Sequence, residues 1–103
     1  MSAIITVPVI VTPEAAERVA ELSMHAELEL MIEHTRETVC GLQRIEVQLH
    51  PPYDTGDEPG VVIEATINYV PAGDDPTRRE WGEWQINAFP PDVWRHFGLF
   101  LIW

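Results

Sequence analysis

Hydrophobic and polar positions along the chain follow two different periods. "LQRIEVQLH" alternates, with Ile45, Val47 and Leu49 on one side and Arg44, Glu46, Gln48 and His50 on the other. A period of two with one apolar side predicts a half-buried strand. "VVIEATINYV" repeats it, placing Val61, Ile63, Ala65, Ile67 and Tyr69 toward a core. "AIITVPVIV" is rich in β-branched residues and reads as an earlier strand. Pro8 cannot donate to a ladder, which puts that strand at an edge or a bulge. "WGEWQINAF" reads as a third strand of the later group, with Trp84, Ile86 and Ala88 sharing a side, and "LFLIW" as a terminal strand. Between them "PPDVWRHFG", set between prolines and a glycine, reads as one short helical turn.

"TPEAAERVAELSMHAELELMIEHTRE" carries the other period. Thr12 can cap a helix, Pro13 suits its first position, and Glu14 complements the positive end of the dipole. The helix is expected to run to about Val39, with Gly41 as its stop. At about 100° per residue, Ala15, Val19, Leu22, Ala26 and Leu30 form one apolar stripe. Ala20, Met24, Leu28, Met31, Ile32 and Val39 form a second, roughly opposite. A helix on one sheet needs a single stripe. Either the apolar face switches near Ser23, or the second stripe meets "FGLFLIW" or a second copy of the chain. Exposed, it would be an interaction patch, which predicts a homodimer, two-fold pairs being the commonest oligomers.

The order is β-α-β-β-β, then a short helical turn and a terminal strand. Consecutive strands joined by loops predict an antiparallel sheet. The expectation is a single α+β domain over residues 1–103, one long helix on an antiparallel sheet of four to five strands. This order of elements resembles that of cystatin-like folds. The resemblance covers order alone; "QLHPPYDTG" carries none of that family's protease-binding loop motif, so no function is carried over.

Charge changes the picture. Seventeen acids face six bases, all Arg, for a net charge of -11. Such a chain repels nucleic acid and anionic membrane surfaces and suits a basic protein partner. The one basic pair, Arg78–Arg79, is itself surrounded by acids in "GDDPTRREWGEW". The longest apolar runs are too short to span a bilayer. No basic leader or small-residue cleavage pattern marks a signal peptide. One cysteine, Cys40, rules out an intramolecular disulfide and fits a reducing, cytoplasmic setting.

Specific chemistry is weakly signalled. Glu21, His25 and Glu29 are consecutive i, i+4 neighbours that could offer ligands to a divalent ion. No HExxH or paired-cysteine spacing supports them, and no metal or cofactor is expected. Cys40 with His34 or His50 could pair a nucleophile with a base, but a helix C-terminus disfavours a thiolate. No G-x-S-x-G, P-loop or dinucleotide fingerprint is present.

Two function classes follow. The first is a small acidic protein-binding module: an inhibitor, an antitoxin or immunity-type protein, or a nucleic-acid mimic. It would use an acidic rim of adjacent loops, Tyr53, Asp54, Asp57 and Glu58 with Asp74 and Asp75, an exposed Trp81, and the acidic helix flank Glu17, Glu21, His25, Glu29 and Glu33. The second is a small-molecule-binding or catalytic dimer with a pocket between helix and sheet, using His25 and neighbouring Glu.

Overall fold

The two alternating segments form the centre of the sheet. A computed structural model describes residues 7–50 and 58–103. In it, β2 (Leu42–His50) and β3 (Gly60–Ile67) pair antiparallel from Leu42↔Ile67 to His50↔Gly60. Their inward residues Ile45, Val47, Val61, Ile63 and Ala65 are buried, as a period of two requires.

The chain is α+β, but its sheet is mixed rather than antiparallel. β1 (Val9–Val11) runs parallel to β2, and β4 (Phe97–Ile102) runs parallel to β3, in the order β1-β2-β3-β4. Helices return the chain before each parallel partner is laid down: α1 (Pro13–Leu22) and α2 (His25–Thr38) after β1, α3 (Thr77–Ala88) and α4 (Pro91–Trp94) after β3. Parallel neighbours need such crossovers. Residues of α1, α2 and α3 share one core cluster with the inward side of the sheet, so both crossovers lie on the same face. They therefore have opposite hands, and one departs from the usual right-handed rule. β1 sits at an edge, as Pro8 foretells, and the Pro8 carbonyl accepts from Ile45 N–H at 3.0 Å.

The single long helix is instead two helices. α1 ends at Ser23, whose φ of 56° is left-handed. Ser23 N–H donates to the Ala20 carbonyl and Met24 N–H to the Val19 carbonyl, at 3.1 Å each, the pattern of a Schellman cap. Packing explains the break. Nine residues separate Val19 from Leu28, and at about 100° per residue they would face opposite ways on a continuous helix. Both are buried in the same core. The face switch near Ser23 is thus met by turning the chain, and Leu28, Met31 and Val39 of the second stripe are covered within the chain. Of the first stripe, Leu30 is left exposed on α2.

The expected strand "WGEWQINAF" is helical. Its buried members are Trp81 and Gln85, four apart, with Trp84 half-buried beside them, while Ile86 and Ala88 face solvent. The expected turn at "PPDVW" is α4, and "LFLIW" lies mostly in β4. Gly41, at a φ of 66°, makes the turn into β2, where a side chain would run into Asn68. Among the described residues no helix is long and apolar enough to cross a membrane.

Candidate functional site

β3 separates the described members of the two acidic loops. Glu58 lies just before its Gly60 end and the segment with Asp74 and Asp75 follows its Ile67 end. Eight strand residues span about 23 Å, which sets Glu58 apart from Asp74 and Asp75. Tyr53, Asp54 and Asp57 lie outside the described residues. Glu58 is exposed and accepts from Arg18 at 3.1 Å, and Arg18 also bonds Glu21 at 3.1 Å and the Pro59 carbonyl at 3.3 Å. Arg18 thereby ties the base of that loop to α1.

Asp74 is exposed, but Asp75 is engaged locally. Its Oδ1 accepts from Thr77 N–H at 2.9 Å and from the Thr77 hydroxyl at 2.5 Å, and Tyr69 donates to Oδ2 at 3.4 Å. This turn starts α3. The Thr77 bonds, with Tyr69 adding to them, hold the Asp75 carboxyl below its ordinary range. Trp81, expected at the surface, is only 3% exposed. As a helical residue it faces α2, and its indole N–H donates to Thr35 Oγ1 at 3.0 Å. The Thr35 hydroxyl in turn donates to the Met31 carbonyl at 2.7 Å. Trp81 is core, with its polar edge satisfied.

The acidic helix flank is divided where the helix is. Glu17 and Glu21 belong to α1, and His25, Glu29 and Glu33 to α2; all five are exposed. The turn at Ser23 removes Glu21 from the helix that carries His25 and Glu29. Among the described residues no group of three His, Cys, Asp or Glu is placed to hold a metal ion. Together α1 and α2 carry seven Glu against two Arg. Six of those carboxylates are exposed and Glu27 is half-buried. Both Arg are engaged by neighbouring Glu, Arg18 as above and Arg36 with Glu33 at 3.6 Å.

A shallow cleft of about 230 Å³ lies between α2 and α3, lined by His34, Thr38, Thr77, Glu80, Trp81 and Trp84. The His34 ring stacks on Trp84 at 3.7 Å between centroids and 5° between planes. Burial against the indole pushes the His34 pKa down, with Glu37 opposing the shift. His96, near Arg95 and Arg18, is lowered too, chiefly by burial. The His34–Trp84 pair was hidden in the sequence because its Trp sat on an expected strand.

The sheet face away from the helices is the third candidate surface. Glu46 and Glu64 stand directly opposite each other on β2 and β3, a like-charge pair that is unfavourable by itself. Arg44 relieves Glu46 and the Gln48 amide donates to Glu64, both at 2.7 Å. Around them Ile10, Phe100 and Ile102 are exposed. Comparison with protein-family models, with curated proteins and with solved structures gives no match.

Proposed function

We propose that this chain is a small acidic protein-binding module, of the inhibitor, antitoxin or immunity, or nucleic-acid-mimic kind. It acts by laying the outer surface of α1 and α2 against a basic protein. The observation that carries this is how those helices divide their residues. Their inner faces are filled against the sheet, with Val19, Met31, Ile45, Val47 and Ile63 fully buried. Their outer faces present six exposed carboxylates, and the two Arg among them are already occupied. Closely spaced charge of one sign steers a partner of the other sign and raises the association rate by about 10–1,000-fold. The same field repels a phosphate backbone.

Packing also weighs against a pocket between helix and sheet. His25 is exposed at the first residue of α2, outside the filled interface.

The test immobilises the chain and captures partners from the cells that express it, at 50 mM and 500 mM salt. A variant carrying Glu17→Gln, Glu21→Gln, Glu29→Gln and Glu33→Gln is run beside it. The expected result is a basic protein retained at low salt by the unmodified chain, and lost with either high salt or the variant. Retention unaffected by both would refute the acidic-surface reading.

A further inference from the structure

The net charge is unevenly placed. Residues 77–103, which hold α3, α4 and β4, contain Arg78, Arg79 and Arg95 against Glu80, Glu83 and Asp92. That C-terminal quarter is neutral, so the whole charge of -11 resides in residues 1–76. Two copies approaching through the acidic helices repel; two approaching through the neutral segment do not.

The neutral segment ends in a sheet edge that is open beyond Phe97, whose carbonyl accepts from the Gln85 amide at 3.1 Å. Among the described residues β4 pairs on one side only, with β3, over six consecutive residues from Val61↔Phe97 to Thr66↔Ile102 with no register shift. Natural edge strands are blunted by charges, proline or bulges. "FGLFLI" has none of these. Phe100, Ile102 and Trp103 are 37%, 40% and 64% exposed. On its open side β4 offers the N–H and C=O groups of Leu99 and Leu101, which a further strand would take. A strand paired antiparallel with its own copy about a two-fold axis satisfies both edges with the same residues.

We infer that the chain forms a homodimer by antiparallel pairing of β4 with β4 of a second copy, joining two four-stranded sheets into one of eight. The helices of both copies then lie on the same face, because the two-fold axis is perpendicular to the sheet. Residues that share a side meet: Phe97, Leu99 and Leu101 toward the helices, Phe100 and Ile102 on the open face. This surface is separate from the acidic helices and does not depend on the function proposed for them.

The test is the solution mass of the full chain by sedimentation equilibrium from 1 to 100 µM. The expected mass is twice the 11.7 kDa of one chain, held or strengthened in 500 mM salt because screening removes residual repulsion. Ile102→Lys with Trp103→Lys replaces two exposed apolar side chains of the edge strand with charges. It is expected to weaken self-association at least tenfold. Leu30→Lys, on the exposed side of α2, is expected to leave the mass unchanged. Amide exchange in Phe97–Ile102 of the unmodified chain should slow as concentration rises. A monomer at 100 µM, a dimer broken by Leu30→Lys and not by the double variant, or β4 exchange independent of concentration would each overturn the inference.

Discussion

Ser23 is the residue at which the helical layer is decided, and substitutions there give results of opposite sign for the two possible architectures. In a continuous helix, glycine is less favourable than alanine by about 1 kcal/mol. In a left-handed cap the order reverses. A non-glycine residue in that conformation carries about 1–2 kcal/mol of steric cost. Glycine avoids this but frees the unfolded chain, returning about 0.4–1 kcal/mol. With Ser23 at a φ of 56°, Ser23→Gly is expected to be more stable than Ser23→Ala by roughly 0.5–1 kcal/mol on these figures. For a domain of this size that is a melting-temperature gap of about 2–8 °C. Far-UV circular dichroism during thermal and urea unfolding reads it directly. If Ser23→Ala proves the more stable of the two, the helix is continuous and the explanation of how Val19 and Leu28 reach one core fails.

Three further perturbations probe the elements around the cleft and the cap. The Gln85 amide donates to the carbonyls of Phe97 and Trp94 at 3.1 and 3.3 Å; Gln85→Leu strands both and should cost about 2–4 kcal/mol in urea unfolding, whereas an unchanged midpoint would show those bonds to be dispensable. Trp81→Phe removes the donor to Thr35 and some ring volume, for an expected loss of about 1–3 kcal/mol; Trp81 placed at the surface would instead tolerate the change. Asp75 has its carboxyl lowered by Thr77, so its contribution is present above the ordinary carboxylate pKa and lost as pH falls through the lowered folded value. The stability difference between the unmodified chain and Asp75→Asn should therefore narrow on acidification below pH 4, and a difference constant from pH 6 to 2 would contradict the assigned bonds.

What the sequence made legible was whatever rests on local pattern. The alternation in β2 and β3 needs only neighbours two apart, and both strands form where it occurs. Thr12 and Pro13 open α1 as their chemistry dictates, Thr12 Oγ1 accepting from Ala15 N–H at 3.3 Å. The break at Ser23 was visible only as two opposed stripes. No glycine or proline marks it, and the left-handed turn is imposed by the need to bring both stripes to one sheet. α3 was misread for a different reason. Its inward positions Trp81, Trp84 and Gln85 have helical spacing, but one is polar and two are aromatic residues common in strands. With that helix read as a strand, the crossover to β4 disappeared, and with it the parallel pairing, the His34–Trp84 stack and the cleft. Which end of the sheet each loop occupies was not legible either: Glu58 and Asp74 lie beyond opposite ends of β3 because that depends on strand direction, which composition does not carry.

The central claim is a division of labour, with acidic helices for a basic partner and a neutral β4 edge for a second copy. The most direct measurement is the light-scattering mass of the chain with its captured basic partner, first at 50 mM and then at 500 mM salt. The predicted result is a complex containing two copies of the chain at low salt that falls, at high salt, to the mass of the paired chain alone. A partner that stays bound in high salt, or a chain that falls to a single copy while the partner remains, would contradict the division.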